Sequence, residues 1–173
     1  MAANDSLLLV TALNNEPPDD DFATLDFILG TSADEPDDLS PVLDFDPTTN
    51  EHAVFTFTLP SSYGGNGIRV ALFWTSEATT GNVKWDVAFK RQAVFDNVAT
   101  RQYAAVQSDV DNMSSTARNM RVASINFTDG AQIDSLDVGD LFKIRVTRDA
   151  EDVLDTINAN DVELLAVELI EAF

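Results

Sequence analysis

Between Phe45 and Arg91 the chain sets out three runs in which apolar and polar positions alternate one by one. Ala53, Phe55, Phe57 and Leu59 share one phase of the first run. Ile68, Val70, Leu72 and Trp74 do so in the second, and Val83, Trp85, Val87 and Phe89 in the third. Successive side chains of a strand point to opposite faces, so this period predicts strands with one wall against a core. Pro60–Gly67 and Ser76–Asn82 separate the runs; both are rich in residues that tolerate positive φ or bond their own backbone. Shorter segments read the same way. They predict strands over Ser6–Thr11, Ala23–Leu29, Val42–Phe45, Ala99–Val106 and Val122–Phe127. A further strand over Leu141–Thr147 places Phe142, Ile144 and Val146 inward, with Lys143 and Arg145 outward. Asn14–Asp21 reads as a loop or extended arm, Thr31–Leu39 as an acidic loop and Ser108–Asn119 as a polar loop.

The last segment supports two readings. Val162, Leu165, Ala166, Leu169, Ile170 and Phe173 fall on one face of a helix, whereas Leu165, Val167 and Leu169 also suit a strand. Periodicity alone favours the helix. Eight to ten strands spaced by turn-rich segments predict an all-β, antiparallel β-sandwich of jelly-roll type with an acidic extended N-terminal arm. One domain is expected, with residues 1–40 as the arm and first strands and residues 41–173 as the sandwich body. A chain of 173 residues buries roughly 70% of its unfolded surface, enough for a two-sheet core. It has no cysteine, which excludes disulfides, thiolate metal sites and cysteine nucleophiles. The apolar run near the N-terminus is too short for a signal segment or a membrane span, so a soluble protein without a cleavable signal is expected.

Charge narrows the partners. Residues 1–68 hold 13 acidic residues and no Lys or Arg, residues 69–148 hold all 10 basic residues, and residues 149–173 hold 8 acidic and no basic ones. A net charge of −20 repels phosphate, so neither nucleic acid nor an anionic membrane is expected as a partner. The acids comprise 22 Asp and 8 Glu, against only 3 Lys. Such a surface fits a halophilic or marine origin, and equally a surface selected for solubility.

The turn and core residues carry a resemblance. Phe45-Asp46 followed by Glu51, a strand ending in Leu59-Pro60, Tyr63-Gly64-Gly65, a strand closing on Trp74, and Gly81-Asn82-Val83 with Trp85 form its first part. Arg148-Asp149 and Leu164-Leu165-Ala166-Val167 complete it. Over residues 41–170 the chain resembles small jelly-roll proteins of tailed viruses of prokaryotes, which serve as capsid decoration (cement) proteins or parts of tails and fibres, often as trimers. The resemblance implies a final strand at the C-terminus, a homotrimer, a virion location after synthesis in the host cytoplasm, and the major capsid protein or another virion subunit as partner. In that setting the acidic arm, with Asp19, Asp20 and Asp21, meets cationic partners, and Tyr63 at a turn tip is the candidate surface aromatic. The alternative is a receptor- or carbohydrate-binding head of a tail fibre.

Candidate chemistry is sparse, and no enzyme is expected. His52 is the only histidine, which excludes a triad or a multi-histidine metal site, and it reads as a surface residue opposite Phe55 and Phe57. No Gly-x-Ser-x-Gly elbow is present, and Gly64, Gly65 and Gly67 lie in a hairpin turn rather than a phosphate loop. No cofactor is expected except calcium, for which carboxylate clusters are the available material. Asp19-Asp20-Asp21, Asp34-Glu35-Asp37-Asp38 and Asp149-Glu151-Asp152-Asp155 each offer oxygen ligands or read, more simply, as solvated loops; Asp149, Glu151, Asp152 and Asp155, held in one short loop between two strands, are the best candidate ligands. Asp109-x-Asp111 lacks the later residues of an EF-hand. Trp74 and Trp85 read as core, or, if exposed, as a stacking platform for sugars.

Overall fold

The computed structural model describes residues 6–31 and 37–172. Among the described residues ten strands build two facing antiparallel sheets: β1 (Ser6–Thr11), β2 (Thr24–Leu29), β3 (Leu39–Phe45), β4 (Glu51–Thr58), β5 (Ile68–Ser76), β6 (Asn82–Gln92), β7 (Gln107–Asn112), β8 (Arg121–Phe127), β9 (Leu141–Arg148) and β10 (Val162–Glu171). One sheet runs β2-β3-β10-β5-β8, with β1 continuing along β10 beyond the end of β3; the other runs β4-β9-β6-β7. Most connections cross from one sheet to the other, as the expected jelly-roll layout requires.

The alternating rows meet in the middle. Trp74 and Trp85 are fully buried, with ring centroids 6.2 Å apart, and Phe45 stands edge-on to Trp85 at 5.2 Å. Phe57, Phe142, Phe89 and Phe127 continue the row at 4.8–5.8 Å. Aromatic pairs at these separations add about 0.5–1.5 kcal/mol each beyond their buried area. The tryptophans are therefore core and offer no external platform.

Two assignments change. The C-terminal segment is a strand with a β-bulge, and of the helical face read from the sequence only Val162 and Leu169 belong to its inward set among the described residues. Leu164 pairs with Trp74 and Ala166 with Phe73, leaving Leu165 as an extra residue. Val162 and Leu164 point inward before the bulge, Val167 and Leu169 after it, so the inward phase jumps by three instead of two. The second change concerns residues 99–112. The strand is β7 rather than Ala99–Val106, which is irregular. The inward positions of β7 are polar: Gln107, Asp109 and Asp111 lie opposite Val87, Trp85 and Val83. They seal the open side of the sandwich, because Asp109 accepts from the Ser124 amide, and Asp111 accepts from Trp74 Nε1 and Arg121.

The acidic arm is docked rather than loose. The Glu16 amide donates to the Val54 carbonyl, the Val54 amide to Asn15 Oδ1, and the His52 amide to the Asp21 carbonyl. These bonds lay the arm along the free edge of β4.

Candidate functional site

The outer face of the four-stranded sheet carries the main trough of the molecule. Its floor consists of three cross-strand rows. Val54, Arg145 and Ala88 form the central row; Thr56, Lys143 and Lys90 flank it on one side, and His52, Thr147 and Asp86 on the other. Small Ala88 beside long Arg145 leaves the floor low at that point. One wall is the arm, with Glu16, Pro17 and Pro18; the other is the 93–106 segment, with Val98 and Tyr103. This section encloses about 680 Å³. It continues, through shared His52 and Arg145, into a smaller hollow of about 190 Å³ beside Asn50, Asp86, Val106 and Asp149.

Both walls are fixed by bonds the sequence encodes. The Ala104 amide donates to the Phe89 carbonyl at 2.8 Å, and Arg101 clasps Asp134 through two bonds of 2.8 and 2.9 Å. On the opposite side Lys143 Nζ pairs with Glu16 at 2.5 Å, and the Thr56 hydroxyl donates to the same carboxylate. The Lys143 hydrogen bond is the main cause holding the Glu16 carboxyl below its usual value. Tyr103 is held between cations: Lys90 Nζ and Arg145 Cζ each lie 4.7 Å from its ring centre. Burial raises its phenol. Burial also lowers Lys90, helped by the like charges of Lys143 and Arg145. His52 Nδ1 lies 2.8 Å from the Thr147 hydroxyl; burial, then Arg145, lowers its pKa and favours the neutral ring.

The expected calcium ligands do gather, but around the chain's own cations. Lys84 Nζ sits 2.7 Å from Asp149 and 2.6 Å from Asp152, and those two hydrogen bonds raise its pKa. Asp155 forms a bidentate pair with Arg148, both fully buried, while Glu151 exchanges hydrogen bonds with Asn50 at the surface. Among the described residues no group of three or more His, Asp or Glu is arranged to hold a metal ion. Asp34 and Glu35 lie outside the described residues. Asp19, Asp20 and Asp21 are exposed beyond the arm wall.

Tyr63 is not a surface aromatic. It is 8% exposed; its hydroxyl donates to Asp129 at 2.8 Å and accepts from the Gly67 amide at 3.1 Å. Gly67 has φ +91°, and a Cβ there would stand 2.4 Å from the Phe127 carbonyl oxygen, so that position accepts only glycine. The aromatic that borders the trough is Tyr103. The sequence placed it in a strand over Ala99–Val106, whereas the segment is irregular; the outward phase of Lys143 and Arg145 did mark the floor.

A second polar hollow lies at the opposite sheet, where Asp26, Asp44, Asp161 and Glu163 converge. Arg118 reaches Glu163 there at 2.8 Å. Burial, followed by the charges of Glu163 and Asp26, pushes Asp44 up to about 7, and its Oδ1 is buried without a partner among the described residues.

No protein-family model and no curated protein matches the chain. Solved structures similar to it include carbohydrate-binding modules. The CBM22-1 xylan-binding domain of Xyn10C from Paenibacillus barcinonensis is 8% identical with a TM-score of 0.49, covering 100% of this chain and 99% of that one. The family 11 module from Clostridium thermocellum, in complex with a β-1,3-1,4-mixed-linked tetrasaccharide, is 12% identical with a TM-score of 0.45, covering 100% and 99%. The CBM36-1 domain of a xylanase from the hindgut metagenome of Trinervitermes trinervoides is 8% identical with a TM-score of 0.42, covering 96% and 98%. None of these three is a virion protein, and their ligands are properties of those proteins.

Proposed function

We propose that the chain is a non-catalytic glycan-binding β-sandwich whose ligand lies in the trough across the four-stranded sheet. The trough itself carries this reading. It is open and walled on two sides, and it mixes an aromatic ring and small apolar surfaces (Tyr103, Val54, Ala88, Pro17) with hydrogen-bonding groups (His52, Gln92, Lys90, Arg145). Sugar rings present apolar C–H faces and hydroxyl edges, and such mixed linings match both at once. The bordering carboxylates are engaged elsewhere: Glu16 with Lys143, Asp149 with Lys84 and Asp86 with the Ser108 hydroxyl. This favours binding over hydrolysis, for which two carboxyl groups must face one bond. The full chain should retain oligosaccharides on a glycan array without cleaving them, and Tyr103→Ala should weaken retention at least tenfold. Retention unchanged by Tyr103→Ala would reject the trough as the site.

A second reading, a virion decoration protein acting as a homotrimer on a capsid shell, is favoured by one feature. Leu25, Phe27, Leu29 and Leu39 are each 47–61% exposed on the β2–β3 ribbon, an apolar row suited to contact with another subunit. Sedimentation would show a concentration-dependent trimer that Phe27→Asp disperses; a monomer at all concentrations would reject self-assembly.

A further inference from the structure

The cations of the trough are unusual for so acidic a chain. Seven of the ten Lys and Arg residues pair with a carboxylate: Lys84, Arg91, Arg101, Arg118, Arg121, Lys143 and Arg148. Among the described residues, three have no such partner, although the chain offers 30 carboxylates: Arg69 on the other sheet and, in the trough, Lys90 and Arg145. Both lie on the trough floor against Tyr103, and Arg145 Nε is buried without a hydrogen-bond partner among the described residues. With Lys143 they form a tight like-charge cluster, which costs energy unless something opposes it. Glu16 neutralises only Lys143.

We infer that the saccharide this trough accepts is anionic, bearing carboxylate or sulfate groups that bind Lys90 and Arg145. The inference rests on the glycan-binding reading above. A guanidinium offers a planar fork that matches a carboxylate or sulfate. The net charge of −20 does not defeat this, because at physiological salt charges more than about 8 Å away are largely screened while contact pairs are not. The same imbalance disfavours nucleic acid, which needs a basic footprint far longer than three residues.

The full chain is titrated calorimetrically with a tetragalacturonate, a sulfated tetrasaccharide, a neutral xylotetraose and a single-stranded oligonucleotide. At least tenfold tighter binding of either acidic sugar over the neutral one supports the inference, and the stronger of the two identifies the anion. Lys90→Gln with Arg145→Gln should lose that tenfold preference, Arg145→Lys should restore part of it, and Arg69→Gln, on the other sheet, should leave it intact. A melting curve shows that each variant is folded. Equal binding of neutral and acidic sugars, or indifference to the double substitution, overturns the inference while leaving the glycan reading standing. Binding of no sugar overturns both, and tighter binding of the oligonucleotide than of any sugar does the same.

Discussion

Asp155→Ala is the sharpest structural perturbation available. The Arg148 and Asp155 side chains are both 0% exposed and share two bonds of 3.0 and 3.1 Å. Arg148 also donates to the carbonyls of Phe45, Asn160 and Ile157, tying β3 and the 149–161 loop to the end of β9. Asp155 in turn accepts from the Lys84 and Ile157 amides. Removing the carboxylate strands a buried guanidinium and two amides. Breaking one side of a buried pair costs about 3–5 kcal/mol. At roughly 2–4 °C per kcal/mol for a chain of this size, the melting temperature should fall by about 6–20 °C. Near-ultraviolet circular dichroism of buried Trp74 and Trp85 follows the transition. The double variant Arg148→Met with Asp155→Leu should lose less than Asp155→Ala alone, because no charge is left stranded. Melting of Asp155→Ala within 2 °C of the parent would refute this account of the loop.

Three further outcomes follow from named groups. Asp44 is raised to about 7 in the fold from an ordinary value of 3.8, so the folded chain binds more protons than the unfolded chain between those values, and this group's contribution to stability falls as pH rises through that window. Asp44→Asn should therefore raise the melting temperature at pH 8 and leave it nearly unchanged at pH 4; equal melting of both proteins at pH 8 would contradict the assignment. Tyr63→Phe leaves the Gly67 amide unpaired and should cost about 1–3 kcal/mol, read as a lower urea midpoint at unchanged slope. Lys143→Met frees Glu16, in the arm wall, from the trough floor, and hydrogen exchange at the Glu16 amide should rise several-fold, with no change expected at the β5 amides.

The body of the fold was legible because β4, β5 and β6 alternate cleanly against one core. β10 was ambiguous because apolar residues lie on both of its faces and one extra residue, Leu165, breaks its alternation. β7 was hidden because its inward side chains, Gln107, Asp109 and Asp111, are satisfied by hydrogen bonds and ion pairs across the sheet gap rather than by burial of apolar surface. Acidic spacing at 149–155 pointed to a cation, and spacing cannot reveal that Lys84 and Arg148, one of them on a distant strand, fill that place. The trough draws Lys90, Tyr103 and Arg145 from β6, an irregular segment and β9, so only the fold brings them together.

The most direct test is an amide-resolved NMR titration of the full chain with an acidic tetrasaccharide. Binding of an anionic glycan in the trough predicts saturable shifts confined to Lys90, Tyr103, Arg145 and their floor neighbours. Shifts clustered on β2 or β8, or none at millimolar sugar, would contradict it.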